Sequence, residues 1–140
     1  MLGDNVTIDH GVYMNSHGGS ITTGSNCHFG VGSVVQGRGG LTIGDGVLFG
    51  PGTRIFASNH NFREVDTTIV QAGESFSGVT VGSNIWVGSG CTIVDGAILG
   101  DGTVYGAGGV IAGNYPTGTC NIAKQVRVLS VNKPESASLG

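Results

Sequence analysis

Apolar residues recur at every sixth position along much of the chain. The unbroken series is Val81, Val87, Ile93, Leu99, Tyr105 and Ile111. The same spacing occurs earlier at Leu2, Ile8 and Met14, at Phe29 and Val35, and at Ile43, Phe49 and Ile55. This period matches neither the apolar stripe of a helix nor the alternation of a simple amphipathic strand. It predicts a parallel β-helix, in which the chain turns a corner after every six residues.

Three faces of six residues make one coil of about eighteen residues, which fixes the expected stacking. Val81 is then expected to lie over Leu99, Val87 over Tyr105, and Ile93 over Ile111. The predicted coils, about five in number, are residues 2–19, 23–40, 43–60, 81–98 and 99–116. Near the corners, Gly and Asp-Gly pairs permit backbone conformations that a Cβ atom would oppose.

One long interruption divides this pattern. Residues 57–78 contain no six-residue spacing, and so long a loop inside a compact domain is usually functional. We therefore expect an all-β domain over residues 1–129 with one protruding loop at 57–78. Residues 130–140 are expected to form a flexible tail.

Composition agrees with an ordered β architecture and limits the function. The chain has 28 glycines but only 3 prolines among 140 residues, so it resembles neither collagen nor a disordered Pro-Gly segment. The net charge of −3 and the scattered basic residues argue against nucleic-acid binding. From the composition and the N-terminal residues we expect neither a transmembrane segment nor a signal peptide. Three cysteines without a CxxC motif suggest free thiols, and a cytoplasmic location is expected.

The four histidines differ in their place within the repeat. His10, His17 and His28 fall at different offsets from their apolar positions and do not stack, so no metal site is expected. His60 instead begins the long loop. Catalytic groups concentrate on loops held by a rigid scaffold, and histidine titrates near neutral pH. Because the rest of the chain offers no alternative acid–base constellation, His60 is the candidate general base.

A family resemblance rests on two segments, Asn59-His60-Asn61-Phe62 and Ile85-Trp86-Val87-Gly88, within a longer similar run over about residues 2–128. The chain resembles the hexapeptide-repeat acyltransferases, in particular the sugar and polysaccharide O-acetyltransferases related to maltose and galactoside acetyltransferase. The resemblance implies a left-handed β-helix of triangular section. It also implies a homotrimer with active sites at subunit interfaces, and direct transfer of an acetyl group from acetyl-CoA to a sugar hydroxyl.

The resemblance also implies roles for individual residues. His60 matches the histidine that takes the proton of the acceptor hydroxyl, and Trp86 matches a tryptophan beside the pantetheine arm. Ser89 and Ala107 match positions that line the coenzyme A channel. The chain departs from the family at Gly113-Asn114, where the family usually has Lys-Asp, which leaves Lys124 and Arg127 as candidates for contacts with the phosphates of coenzyme A.

The expected position of the acceptor follows from the stacking of the first three coils. Asn15, Gln36 and Phe56 should form one column, and His17, Arg38 and Ser58 another that leads toward His60. We therefore expect Asn15, Gln36, Arg38 and Asn59 to bind the acceptor. Two alternatives stay open: N-acetylation of an amino sugar or nucleotide sugar, and a non-catalytic β-helix that serves as a scaffold.

Overall fold

A computed structural model describes residues 1–63 and 65–130. It confirms the predicted fold class, because three parallel sheets form the faces of a β-helix. A flexible tail is expected beyond residue 129. Residues 131–140 of that segment lie outside the described part. Within the described residues, no helix is long and apolar enough to cross a membrane.

The strands of the three faces follow one another in chain order, so each turn of the helix contributes one strand to each face. Face A contains β1 (Thr7–Ile8), β4 (His28–Phe29), β7 (Leu48–Phe49), β12 (Trp86–Val87), β15 (Val104–Tyr105) and β18 (Cys120–Asn121). Face B contains β2 (Tyr13–Asn15), β5 (Val34–Gln36), β8 (Arg54–Phe56), β13 (Thr92–Ile93) and β16 (Val110–Ile111). Face C contains β3 (Ile21–Thr23), β6 (Leu41–Ile43), β11 (Val79–Val81), β14 (Ile98–Leu99) and β17 (Asn114–Tyr115).

The stacking expected from the six-residue period is confirmed. Val81 pairs with Leu99, Val87 with Tyr105 and Ile93 with Ile111 in adjacent parallel strands. The inward side chains of these strands are buried and form one continuous core. At the first turn, by contrast, Leu2 and Ile8 stay exposed because little lies beyond them at that end of the helix.

The number of turns differs slightly from the expected five coils. Within residues 1–63 and 65–130, five complete turns are followed by β18, which begins a sixth turn on face A. The six-residue pattern did not reveal this strand because Asn121 occupies the position that pairs with Tyr105. Its side-chain amide donates hydrogen bonds to the backbone oxygens of Val104 and Thr119.

The interruption at residues 57–78, which we call the arm, leaves the helix between face B and face C. The pairing of Leu41–Ile43 with Val79–Val81 closes the helix across its base. The arm is more ordered than a loop: β9 (Asn59–His60) pairs antiparallel with β10 (Glu74–Ser75). Between them lies α1 (Ile69–Ala72), a single turn that departs from the all-β expectation. A capping box between Thr68 and Gln71 starts this turn, which explains its formation.

Candidate active site

His60 lies on β9, where the arm leaves the helix, and its side chain is exposed. Its cross-strand partner is Glu74, and the neighbouring pair is Asn59 with Ser75. Asn61, the residue after β9, connects this strand to the residues just before β10. Its backbone N–H donates to the Gly73 oxygen (3.0 Å), and its side-chain amide donates to the Ala72 oxygen (2.8 Å). The arm therefore holds an imidazole in contact with solvent on a locally ordered backbone.

A shallow cavity of about 310 Å³ lies beside this histidine. It is lined by Asn59, His60, Asn61, Phe62, Arg63 and Ser75. All of these residues belong to the arm, so the helix itself supplies none of the lining. The cavity offers amide, hydroxyl, guanidinium and imidazole groups, which suit a polar acceptor better than an apolar one.

The base of the arm is held by a network of four polar side chains, which we call the arm-base network: Gln36, Arg38, Ser58 and Glu74. The Gln36 amide donates to the Ser58 hydroxyl (2.8 Å), and that hydroxyl donates to Oε1 of Glu74 (3.0 Å). The guanidinium Nε of Arg38 lies 2.8 Å from Oε2 of Glu74. A second guanidinium nitrogen of Arg38 donates to the His17 oxygen (3.0 Å).

The residues expected to bind the acceptor lie near one another but are not all available to a ligand. Asn15 pairs with Gln36, and Gln36 with Phe56, so the expected column is present. The side-chain oxygen of Gln36, however, already accepts hydrogen bonds from the N–H groups of Arg38 and Ala57. Asn15 bonds to the Tyr13 hydroxyl and to the backbone N–H of His17. Asn59 lines the cavity beside His60.

The residues expected to bind coenzyme A lie elsewhere on the same chain. Trp86 is 55% exposed on face A, and Ser89 and Ala107 are exposed in the turns that join face A to face B. His60 projects from a different edge of the triangle, between faces B and C. At about 3.3 Å per residue, a face of six residues separates neighbouring edges by up to about 20 Å. None of Trp86, Ser89 and Ala107 lines the cavity beside His60.

A larger cavity of about 660 Å³ lies at the C-terminal end of the helix. Its lining includes Lys124 and the backbone of Gly106, Gly108 and Gly109, which flank Ala107 in the sequence. Arg127 is exposed and is not part of this lining. Lys124 and the turn that contains Ala107 thus belong to one region, which is separate from the cavity beside His60.

Two members of the arm-base network were not among the site residues expected from the sequence. The stacking pattern aligns Ser58 with Arg38 but indicates no functional role for it, and nothing in the sequence singles out Glu74. The arm has no repeat, so only the antiparallel pairing of β9 with β10 shows that Glu74 lies opposite His60. In the described part of the chain, no cluster of three potential metal-binding side chains is present.

This arrangement provides an exposed imidazole, a polar cavity and a second, glycine-lined cavity that contains a lysine. An imidazole near neutral pH can take a proton from a hydroxyl or an ammonium group. Small residues and glycine backbone permit close approach of an extended ligand, and a lysine can bind a phosphate. The chemistry available is thus proton transfer in one region and anion binding in another.

The fold is similar to that of several solved acyltransferases. AntD, an N-acyltransferase from Bacillus cereus in complex with dTDP and 3-hydroxybutyryl-CoA, superposes with a TM-score of 0.76 at 21% identity, covering 94% of this chain and 72% of AntD. A hexapeptide-repeat-containing acetyltransferase from Vibrio cholerae O1 biovar eltor, complexed with acetyl coenzyme A, gives 0.76 at 23% identity, covering 94% of this chain and 70% of its own. A variant of AntD with dTDP-4-amino-4,6-dideoxyglucose and coenzyme A gives 0.71 at 17% identity, covering 95% and 83%.

At these identities the likeness establishes the fold, a parallel β-helix of the kind built from hexapeptide repeats. No protein-family model and no curated protein matches the sequence. What these neighbours bind and catalyse therefore bears on the chain only as support for a proposal.

Proposed function

We propose that the chain is an acetyl-CoA-dependent O-acetyltransferase that acts on a hydroxyl of a sugar or polysaccharide unit, with His60 as its general base. The observation that carries this proposal is the position of His60. Its exposed imidazole stands beside a polar cavity, on an arm that interrupts a fold shared with acyltransferases solved with acyl-CoA or coenzyme A. A cytoplasmic location is part of the same proposal.

The reaction requires one proton to be moved as one bond forms and another breaks. His60 takes the proton of the acceptor hydroxyl while that oxygen attacks the carbonyl carbon of the acetyl thioester. The carbon–sulfur bond then breaks, and the proton held by His60 passes to the leaving thiolate. General-base assistance of this kind typically contributes about 10²- to 10⁴-fold in rate.

The residues proposed for coenzyme A fit an extended, anionic ligand. Ser89 and Ala107 place small side chains on one edge of the helix, and Trp86 exposes its ring on the adjacent face. Lys124 and the neighbouring glycine backbone line a cavity of about 660 Å³, within the range of ligand sites of about 300–1,000 Å³. Arg127 is proposed as a second phosphate contact.

The separation of His60 from these residues supports a homotrimer with active sites at its subunit interfaces. The arm of one copy, which carries His60, would then lie against the edge of another copy that carries Ser89 and Ala107. Together these two regions would form one active site. A mixing experiment tests this arrangement: His60→Ala chains are combined with Ser89→Trp chains, in which the channel is blocked. Recovery of activity above either variant alone supports a shared site, whereas no recovery in a mixed oligomer contradicts it.

A second candidate function is N-acyl transfer to an amino sugar on a nucleotide. It is favoured by the likeness to AntD, an N-acyltransferase solved with a dTDP-linked amino sugar. The two reactions give distinguishable products, because an ester is cleaved by mild base and an amide is not. An amine also needs less help from a base than a hydroxyl does, so a His60→Ala variant should retain more activity toward an amine.

The proposed function is tested by the release of free coenzyme A thiol from acetyl-CoA. The wild-type protein is assayed with a panel of sugars, oligosaccharides, nucleotide sugars and amino sugars, and products are identified by mass and by base lability. Release with a sugar hydroxyl acceptor and a base-labile product is expected. No release with any acceptor, together with no binding of coenzyme A by calorimetry, would leave the scaffold alternative.

A further inference from the structure

The strand pairing within the arm is short, which raises the question of what positions His60 relative to the helix. β9 and β10 pair over only two residues each, and no residue of the intervening α1 is buried. Two-stranded ribbons of this size are marginally stable by themselves. The position of His60 therefore depends in part on the side-chain contacts that connect the arm to the rigid coils.

Glu74 makes that connection with both of its carboxylate oxygens. Oε1 accepts the hydroxyl hydrogen of Ser58 at 3.0 Å, and Oε2 lies 2.8 Å from Nε of Arg38. Ser58 and Arg38 are tied in turn to Gln36 on β5, which belongs to the helix. Only 24% of the Glu74 side chain is exposed, so solvent screens this ion pair less than it would an open surface pair.

The guanidinium of Arg38 makes two contacts besides its ion pair with Glu74. It donates to the His17 backbone oxygen and lies 5.8 Å from the centroid of the Phe76 ring. This distance is within the range of a cation–π contact. Phe76 also packs at the base of the arm, because a Cβ atom built on Gly39 would lie 2.5 Å from the Phe76 Cβ. These contacts restrain the Arg38 side chain at the edge of the helix, where it contacts the arm.

Glu74 lies directly opposite His60 in the antiparallel ladder. Opposite residues of such a pair project their side chains from the same face of the ribbon, with Cβ atoms about 4.5–5.5 Å apart. A carboxylate fixed by Arg38 and Ser58 thus sets the orientation of the ribbon at the residue that faces the imidazole. A change of ribbon orientation at Glu74 would move His60 with it.

We infer that Glu74 is a positioning residue, which, through its ion pair with Arg38, fixes the arm so that His60 reaches the acceptor hydroxyl. This inference rests on the proposed function for its kinetic consequence, but the contact itself is structural. It assigns Arg38 and Gln36 to holding the arm instead of binding the acceptor. The hydrogen bonds already made by the Gln36 amide agree with this assignment.

The kinetic test compares Glu74→Gln and Arg38→Gln with two controls. Asp9→Asn removes a carboxylate that lies 2.7 Å from a ring nitrogen of His28, and Arg54→Gln removes a guanidinium bonded to Thr92 on face B. A displacement of about 1 Å can cost about a hundredfold in rate, so we expect kcat to fall about ten- to a hundredfold in Glu74→Gln and Arg38→Gln. We expect the KM for acetyl-CoA to change less than about twofold, and the controls to match wild type.

The reciprocal double variant, Arg38→Glu with Glu74→Arg, restores a pair of opposite charge and is expected to recover part of the lost kcat. Wild-type kcat in Glu74→Gln would overturn the inference. So would a raised acceptor KM at unchanged kcat, because that result is expected if the pair binds the acceptor instead.

A second measurement does not depend on activity. Arg63 is the only Lys or Arg within residues 57–78, so trypsin cleavage after Arg63 reports on opening of the arm. We expect this cleavage to be faster in Glu74→Gln and Arg38→Gln than in wild type and Asp9→Asn. Unchanged cleavage would overturn the inference. If wild type released no thiol from any acceptor, the proposed function would fail, and the cleavage rates would still decide whether the pair holds the arm.

Discussion

In the β-helix, inward side chains are covered by the coils before and after them, whereas the large apolar side chains of the arm face solvent. Phe29 and Phe49 stack at 5.0 Å between ring centroids and have no exposed surface. Phe62 and Val70, on the arm, are 67% and 85% exposed. The helix is thus stabilised by stacked apolar columns, and the arm by a few polar contacts at its base.

The residues that stabilise the fold are therefore largely distinct from those proposed to take part in catalysis. Each coil repeats the same backbone path, so the helix presents a rigid surface. His60 and its cavity lie in the segment that the repeat does not define. Functional groups on loops carried by a rigid scaffold are a common arrangement. Four tests probe the comparison in order of decreasing effect on stability.

The largest effect is expected from the stacked aromatic pair. Phe49→Ala removes a fully buried ring and should lower the free energy of unfolding by about 3–5 kcal/mol. Phe62→Ala is the matched change in the arm and should alter it by no more than about 0.5 kcal/mol. Guanidinium denaturation followed by circular dichroism measures both. Equal losses would show that the arm is part of the packed core.

A second contrast uses glycine. A Cβ atom on Gly50 would lie 2.6 Å from the backbone nitrogen of Ser89 in the next coil, where the backbone has little room to move. Gly50→Ala should cost about 2 kcal/mol or more of unfolding free energy. Gly73 ends α1 at φ +79° and ψ −164°, a backbone region essentially confined to glycine, with no atom within 4 Å of a built Cβ. Gly73→Ala should therefore cost about 1–3 kcal/mol through backbone strain alone, without a clash between coils. A wild-type melting temperature in Gly50→Ala would contradict the close stacking of coils.

Alkaline pH should weaken the helix through Tyr105. Burial raises the pKa of this phenol above its ordinary value of about 10. The folded state then holds the proton more tightly than the unfolded state, so stability is unaffected at neutral pH and falls as pH rises through about 10. Tyr105→Phe removes the ionisable hydroxyl and should reduce the slope of unfolding free energy against pH in this range. An identical slope would show that Tyr105 does not contribute.

The smallest effect on stability is expected from removing most of the arm. Because Leu41–Ile43 pairs with Val79–Val81, replacing residues 59–76 with a short Gly-Ser linker leaves every strand of the three faces in place. The melting temperature should change by only about 4 °C or less. Loss of the cooperative transition in circular dichroism would show instead that the helix needs the arm to fold.

The sequence allowed the helix to be predicted far better than the arm. Six-residue spacing was enough to pair Val81 with Leu99 and to place Asn15, Gln36 and Phe56 in one column. The same spacing could not reveal β18, because the polar Asn121 takes the place of an apolar residue there. The pattern therefore predicts positions where burial of apolar side chains decides the structure.

The candidate site was only partly predictable for the same reason. The sequence indicates His60 as a candidate because this histidine begins the interruption. Glu74 was missed because its position depends on antiparallel pairing within a segment that has no period. The hydrogen bonds that occupy Gln36 likewise depend on Ser58 and Ala57, which reach it only after the chain has completed a coil.

The most direct test of the account is the kcat of thiol release by His60→Ala, measured with an acceptor that the wild-type protein uses. His10→Ala, which changes an exposed histidine in the first turn of the helix, is the control. We predict that kcat falls about 10²- to 10⁴-fold in His60→Ala, while acetyl-CoA binding and the circular dichroism spectrum match wild type. Wild-type kcat in His60→Ala would contradict the account, because the arm would then carry no catalytic base.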